Sequence, residues 1–110
     1  MKKLLLLSIT LMMGIIALAQ NPTKTTFTVS GNCDMCKATI EKAAKSVAGV
    51  STAVWDKETK KLSLSYDTTK TMVDDIHKAI AKSGYDTDKQ KATDETYNSL
   101  HVCCKYRKTK

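Results

Sequence analysis

Four cysteines carry the chemistry that this sequence could perform: Cys33 and Cys36, with two residues between them, and the adjacent pair Cys103 and Cys104. The first pair lies where a predicted strand ends and a predicted helix begins. Helix N-termini present unpaired N–H groups and a partial positive charge, which stabilise thiolates. Two thiolates placed there could bind one soft ion, such as Cu(I) or Zn(II), and leave it accessible for transfer. The alternatives are a structural disulfide and a redox-active one, since thiols of exported proteins meet an oxidising compartment.

The adjacent cysteines, Cys103 and Cys104, could form only a strained bond with each other. They could instead serve as further metal ligands, pair with other cysteines, or remain free thiols. The predicted chain path allows the first: the last strand leads about 23 Å away from Cys33 and Cys36, and a helical return recovers about 15 Å. Three or four thiolates, with His101 as a substitute for one, would favour tetrahedral Zn(II) or a multi-copper cluster over two-coordinate Cu(I).

The first 19 residues have the three parts of a secretory signal peptide: a basic start at Lys2 and Lys3, an apolar run over 4–18, and a small-x-small motif ending at Ala19. The apolar run is shorter than the roughly 20 residues that a membrane span needs. No cysteine follows the motif closely enough to carry a lipid. We therefore expect an exported protein of the bacterial periplasm, without a stable membrane anchor.

The mature chain is small and basic. Its 91 residues, which are the 110 of the sequence less the first 19, allow one domain with a small core. Without Lys2 and Lys3 it has 16 basic and 11 acidic side chains, a net charge of +5. The chain has no room for a large substrate cleft, which argues against most enzymes. Its basic C-terminus fits a solvated end, or steering towards an acidic partner, better than nucleic-acid binding.

Hydrophobic periodicity predicts one β-α-β-β-α-β unit, in which apolar residues recur at period two in strands and at three- and four-residue spacing in helices. The predicted elements are strands at 23–30, 50–56, 61–67 and 85–91 and helices at 34–48 and 71–83. This order predicts a ferredoxin-like α+β sandwich over residues 20–91, with both helices on one face of a four-stranded antiparallel sheet. Residues 92–110 would form a cysteine-containing C-terminal extension.

The same periodicity predicts where three other side chains lie. Trp55 is out of phase with Val54, which predicts an indole on the open sheet face, covered by Tyr97 and other apolar residues of the extension. His77 is predicted to be a solvated residue of the second helix and not a ligand. Asp34 is expected to be the N-cap residue of the first helix.

The chain resembles the heavy-metal-associated domain family, which includes copper chaperones, soluble N-terminal domains of copper-pumping ATPases and the periplasmic mercury-binding protein. The resemblance covers roughly residues 25–91. It rests on Gly31-x-Cys33-x-x-Cys36 opening the first helix, on Gly49-Val50 leading into the second strand, and on Gly84-Tyr85 closing the second helix. It implies that Cys33 and Cys36 bind the metal and that Tyr85 lies beside them.

The loop before the first helix departs from the family pattern. The family usually has Gly-Met-x-Cys-x-x-Cys, whereas Gly31 stands two residues before Cys33 and no methionine precedes that cysteine. The loop is therefore one residue tighter and lacks a buried methionine, for which Met35 is expected to substitute in packing. The departure bears on metal preference more than on the fold.

The resemblance implies a metallochaperone or scavenger and not an enzyme. Cu(I) is the expected ion, followed by Hg(II), Ag(I) and Zn(II), with transfer by thiolate ligand exchange to or from a metal-transporting ATPase or another metal-binding protein. A metal-bridged dimer is a further expectation. The competing interpretation is a small periplasmic thiol-disulfide redox protein that uses the two cysteine pairs. A thioredoxin-like fold is disfavoured because no proline follows Pro22.

Overall fold

In the computed structural model, which describes residues 22–107, the chain forms an α+β fold. The predicted signal peptide, residues 1–19, lies outside the described residues. The elements are β1 Thr23–Thr28, α1 Asp34–Lys45, β2 Val50–Trp55, β3 Lys61–Tyr66, α2 Val73–Lys82, α3 Asp94–Asn98 and a 3-10 turn Val102–Cys104. Between residues 22 and 107, no helix is long and apolar enough to cross a membrane.

The sheet is antiparallel, with the strand order β1-β3-β2. β1 pairs with β3 from Thr23 opposite Tyr66 to Thr28 opposite Lys61. One helix face of α1 packs against β2, and α1 also packs against α2. Apolar side chains from both layers form a single core, whose members include Phe27, Ile40, Ala44, Ala53, Leu62, Leu64, Tyr66, Ile76 and Ile80. The sheet and the two longer helices therefore form two layers.

The predicted fourth strand is reduced to one isolated antiparallel bridge, between Val29 and Thr87. The chain turns back at this point because the Thr87 N–H donates to the Gln90 carbonyl at 2.8 Å. The Thr87 hydroxyl also accepts from the N–H groups of Lys89, at 3.1 Å, and Gln90, at 2.9 Å. A threonine side chain that bonds nearby backbone groups competes with a strand ladder. Three strands are thus formed in the part of the chain that the structure describes.

Trp55 lies in the core, fully buried, and the prediction of an indole on the open face was wrong. The cause is a register shift between Val50 and Thr52, where β2 has an extra residue opposite β3. Such a bulge moves the later residues of the strand to the opposite face. Ala53 and Trp55 consequently point inward, and Val54 is 58% exposed.

His77 is also buried, with 2% of its surface exposed, and the prediction of a solvated side chain was wrong. Its ring stacks on Phe27, with centroids 3.7 Å apart. Its Nδ1 lies 2.7 Å from the hydroxyl oxygen of Thr87. A polar ring can be buried here because its hydrogen-bonding atom has a partner, and that partner lies in the turn that replaces the fourth strand.

Both long helices end near a glycine in the left-handed conformation, Gly49 with φ +101° and Gly84 with φ +106°. After α2 the Gly84 N–H donates to the Ala81 carbonyl and the Tyr85 N–H to the Ile80 carbonyl, which is a Schellman ending. This ending directs Tyr85 back into the core. α1 begins after Cys33, which is its N-cap residue, one position before the predicted Asp34.

The described part of the C-terminal extension, residues 92–107, folds back onto the loop at 31–36. Tyr106 lies between Tyr85, at a centroid distance of 5.8 Å, and Tyr97, at 4.9 Å. Tyr97 is buried in this cluster. The extension was predicted to cover Trp55, and it instead covers Tyr85 and the cysteine loop.

Candidate metal centre

Cys33 and Cys36 lie at the N-terminus of α1 with their sulfur atoms 3.3 Å apart. Cys33 is extended (φ −146°, ψ 178°) and half-buried, whereas Cys36 in the first helical turn is fully buried. The Asn32 N–H donates to the Cys36 sulfur at 3.5 Å. The Lys37 N–H donates to the Cys33 carbonyl at 3.1 Å. The loop and the first turn therefore hold both sulfurs at one point.

The buried Trp55 side chain packs against the loop that carries Cys33. A Cβ atom on Gly31 would lie 3.0 Å from two atoms of the indole ring, so the ring touches the backbone of the loop. The indole N–H donates to the Val29 carbonyl at 3.0 Å, and Lys60 Nζ donates to the Gly31 carbonyl at 2.7 Å. Met35, which was expected to pack here, is 46% exposed. Sequence reasoning missed Trp55, although a glycine two residues before Cys33 was a signal that something packs closely there.

Cys103 and Cys104 reach the same loop from the C-terminal side. The Cys33 sulfur is 3.6 Å from the sulfurs of both Cys103 and Cys104, which are 3.9 Å from each other. The sulfur atoms of these three cysteines all lie within 4.8 Å of one another. Cys103 is exposed and Cys104 is buried. These distances show that the structure brings the two predicted cysteine pairs together. All four cysteines are free thiols.

Two residues after the 3-10 turn fasten the extension to the loop that follows α2. The Tyr106 hydroxyl donates to the Gly84 carbonyl and accepts from the Asp86 N–H, both at 2.8 Å. The Arg107 guanidinium forks onto the Asp86 carboxylate, at 3.1 Å from Nε and 2.8 Å from one terminal nitrogen. It also donates to the Ala92 carbonyl at 2.7 Å. We call Asp86, Tyr106 and Arg107 the latch.

Further contacts join the extension to the cysteine loop itself. Asn32 Nδ2 donates to the Lys105 carbonyl at 3.1 Å, directly after the adjacent cysteines. Leu100 packs so closely on Gly84 that a Cβ there would lie 2.8 Å from a Leu100 methyl carbon. The extension is thus held on both sides of Cys103 and Cys104.

Cys33, Cys103 and Cys104 differ in acidity because of these contacts. Burial opposes ionisation of Cys33, but hydrogen bonds from the backbone N–H and the thiol of Cys36, and from Cys103 and Cys104, outweigh it and lower its pKa to about 7. The hydrogen bond between the Cys33 and Cys103 thiols, followed by desolvation, raises the pKa of Cys103. Burial and its sulfur neighbours raise the pKa of Cys104 to about 12. Near neutral pH Cys33 is therefore more readily ionised than Cys103 or Cys104.

Tyr85 and His101 are the other residues that were predicted near the site. Tyr85 is 1% exposed; burial, followed by its contacts with the sulfurs of Cys104 and Cys36, raises the pKa of its hydroxyl. His101 is exposed and does not belong to the cluster whose ligand atoms lie within 4.8 Å. The centre formed by the described residues is accordingly made of sulfur atoms.

The chain is similar in sequence to a known domain family and to a periplasmic protein. The model of the heavy-metal-associated domain matches residues 26–86. The periplasmic component of a mercuric transport protein from Shewanella putrefaciens is 35% identical over 85 residues, which are 77% of this chain and 93% of that protein. The family match includes Cys33 and Cys36 and ends before the adjacent cysteines.

Three solved structures are also similar to this chain. A CopZ metallochaperone is 32% identical, with a TM-score of 0.57 over 59% of this chain and 98% of that one. Oxidized MerP from Ralstonia metallidurans CH34 is 33% identical, with a TM-score of 0.53 over 60% and 96%. The water-soluble region of the P-type ATPase CopA from Bacillus subtilis is 31% identical, with a TM-score of 0.59 over 64% and 47%. Each of these likenesses covers about three-fifths of this chain.

Proposed function

The chain belongs to the heavy-metal-associated domain family, and from that membership we propose that it is an exported carrier or scavenger of a thiophilic ion. Cys33 and Cys36 would bind the ion first. The observation that carries this proposal is the pair of sulfurs 3.3 Å apart at the N-terminus of α1. Backbone N–H groups and the helix dipole favour negative charge at that point. Thiolates select soft ions over Mg or Ca.

Transfer would proceed by exchange of thiolate ligands. An incoming thiolate of the partner attacks the ion, a three-coordinate intermediate forms, and Cys33 and Cys36 leave in turn. The ion keeps its charge throughout, because one thiolate replaces another. No bond of an organic substrate is broken, so the protein would act as a carrier and not as an enzyme.

Cu(I) is the ion that we propose first, with Hg(II), Ag(I) and Zn(II) after it. Among the similar proteins, one is described as a metallochaperone and one as a mercuric transport component. Two soft ligands at an accessible loop suit any of these thiophilic ions. The ion carried in the cell thus depends on supply as well as on the site.

The donor or acceptor would be a metal-transporting ATPase or another metal-binding protein, and a dimer bridged by the ion would be an intermediate between two copies. The likeness to the soluble region of a P-type ATPase supports the first choice. The N-terminal pattern at 1–19 and the periplasmic relative support export to the periplasm. We propose that the fold is a ferredoxin-like sandwich in which the turn at Thr87, bridged to Val29, stands in for the fourth strand.

The test is an anaerobic titration of the reduced mature protein with Cu(I), followed by native mass spectrometry in the presence of a competing chelator. We expect the wild-type chain to retain Cu(I) and the variant Cys33→Ser with Cys36→Ser to lose it. Met35→Leu is the matched control, because it removes a soft thioether from the same loop and leaves both thiols. Equal retention by the double variant would overturn the proposal, as would loss in Met35→Leu alone.

A thiol-disulfide exchange protein is the second candidate, favoured by the low pKa of Cys33, about 7. In that reaction Cys33 and Cys36 would become a disulfide while a partner's disulfide is reduced to two thiols. Turnover of a disulfide substrate in metal-free buffer, together with no retention of Cu(I), would favour this function over metal transport.

A further inference from the structure

We propose that the C-terminal extension completes the metal site, so that Cys103 and Cys104 join Cys33 as thiolate ligands of one ion in three-fold coordination, or in four-fold coordination when Cys36 binds as well. This inference rests on the proposed function and deepens it. The ligand class is a thiophilic ion that accepts trigonal or tetrahedral sulfur coordination, such as Zn(II) or Cd(II). The family match ends at residue 86, so the two added ligands lie beyond the matched domain.

The sulfur–sulfur distances fit such coordination. A tetrahedral ion bound at about 2.3 Å from each sulfur places the sulfurs about 3.8 Å apart, whereas a linear two-coordinate ion at that distance places them about 4.6 Å apart. The distances from Cys33 to the other three sulfurs are 3.3, 3.6 and 3.6 Å, and Cys103 lies 3.9 Å from Cys104. Cys33, Cys103 and Cys104 therefore already stand near the spacing of a three-thiolate site. Cys36 lies 3.3 Å from Cys33 but outside the group whose sulfurs are all within 4.8 Å of one another, so four-fold coordination requires its side chain to shift.

The extension is built into the fold, so its cysteines are held in place before any ion arrives. Cys104 is 2% exposed and belongs to the hydrophobic core. The latch residues Tyr106 and Arg107 hold the chain on one side of the cysteines, and Leu100 packs on the other. A ligand that is ordered in advance loses little conformational entropy when it binds.

A closed site of this kind changes what the protein does with its cargo. Each cysteine that binds gives up its thiol proton, and the ion then has three or four thiolates to lose before it leaves. A partner that offers two thiolates must also displace Cys103 and Cys104. Retention is therefore favoured over rapid hand-over, and release requires the extension to move away from the loop.

Protection of Cys103 from alkylation tests the inference, because this cysteine is exposed in the structure and should react when no ion is bound. The reduced protein is treated with iodoacetamide with and without Cd(II) alone, and modified residues are identified by mass. We expect Cys103 to be alkylated in the metal-free protein and protected in the Cd(II)-loaded one. Alkylation of Cys103 at the same rate with one Cd(II) bound would overturn the inference and leave the proposed function standing.

A matched control separates coordination from a general change in reactivity. In a Cys103→Ser background, Asn98→Cys puts an exposed thiol on the same extension, outside the sulfur cluster. Its alkylation should be unchanged by Cd(II), and protection there would overturn the inference. Failure of the wild-type chain to bind Cd(II) at all would overturn the inference, and the proposed function would then be decided by the Cu(I) titration.

Affinity gives a second measurement. Cys103→Ser changes an exposed side chain, so the fold should be kept. We expect its Cd(II) affinity, measured by competition with a chelator, to fall by at least about tenfold, which corresponds to about 1.4 kcal/mol. An unchanged affinity would show that Cys103 is not a ligand.

Discussion

The close contact between Gly31 and the Trp55 ring fixes the position of the cysteine loop on the core. Because the indole ring lies 3.0 Å from where a Cβ on Gly31 would be, and Ile40 lies 3.2 Å from it, the loop has no room for a larger residue. Both neighbours are fully buried. A single methyl group would therefore push the loop, and Cys33 with it, away from its place.

Gly31→Ala should destabilise the protein by about 1–3 kcal/mol, the usual cost of overpacking a filled core. Unfolding by urea measures the change. Ser63→Thr is the control, since it adds one carbon at an exposed position of β3, where surface substitutions usually change stability by about 0.5 kcal/mol or less. Equal effects of the two substitutions would mean that Trp55 does not support the loop tightly.

His77 should make stability depend on pH. Burial lowers the pKa of this imidazole, so the folded state binds its proton less readily than the unfolded chain, whose histidines titrate near about 6.5. The unfolded state then binds more protons, and the free energy of unfolding falls as pH drops below about 6.5. Urea unfolding between pH 5 and 7.5 should show this loss.

The matched pair for that measurement is His77→Gln and His101→Gln. His77→Gln should be less stable than the wild type at neutral pH, because its stacking on Phe27 is lost, and it should show a weaker pH dependence. His101→Gln alters an exposed histidine and should follow the wild-type curve. An acid dependence that survives in His77→Gln would assign it to other groups.

At the scale of elements, the latch decides whether the extension stays docked. Asp86 and Arg107 are partly buried, with side chains 16% and 28% exposed, and Arg107 with the Ala92 N–H holds the pKa of Asp86 below its usual range despite burial. Charge-assisted hydrogen bonds of this kind contribute about 1.5–3 kcal/mol, and partial exposure places this one near the lower end.

Asp86→Asn should therefore loosen residues 92–107 while leaving the sheet folded. Amide hydrogen exchange should become faster in this segment, and Cys104 should become alkylated sooner in the metal-free protein. Asp94→Asn is the control, because the Asp94 carboxylate also contacts Arg107 at 3.1 Å but is 94% exposed. If both variants behave alike, the partly buried ion pair between Asp86 and Arg107 is not what holds the extension.

Much of this element arrangement was predictable from sequence. The period of the apolar residues located both long helices, three strands and the first cysteine pair at a helix start. The register shift in β2 was not predictable, because the pattern of apolar residues does not show that a bulge lies between Val50 and Thr52. The bulge places Trp55 on the buried face of the sheet and not on the predicted open face. The predicted fourth strand is not formed in the described residues because the side chain and backbone of Thr87 make a turn with Lys89 and Gln90.

The C-terminal extension was the hardest part to predict. A helical return suggested that Cys103 and Cys104 could reach the loop, but the residues that fasten it, Asp86 and Arg107, lie 21 positions apart and share no short motif. Pairs of this kind follow from tertiary packing and not from local pattern. The sequence alone indicated that the two cysteine pairs could reach each other, and the structure shows the contacts between them.

At the scale of the whole molecule, bound metal should stabilise the entire fold. The proposed ligands join α1 to the C-terminal extension. An ion that binds only the folded state raises its stability by about 2.7 kcal/mol at a free concentration one hundred times the Kd. Thermal unfolding of the reduced protein with and without Cd(II) should show a higher Tm with metal. In Cys33→Ser with Cys36→Ser the two curves should coincide; a shift of equal size there would place the stabilising ion elsewhere.

Cys33 and Cys103 are separated by 70 positions in the chain, and this distance fixes an order of events during biosynthesis. A chain that leaves a ribosome or a translocation channel N-terminus first presents the loop cysteines long before their partners emerge. The proposed centre can assemble only after Cys103 and Cys104 are free. Until then the first pair is open to oxidants and to passing ions, so the supply of reductant at the exit point would determine how many newly made molecules reach the loaded state.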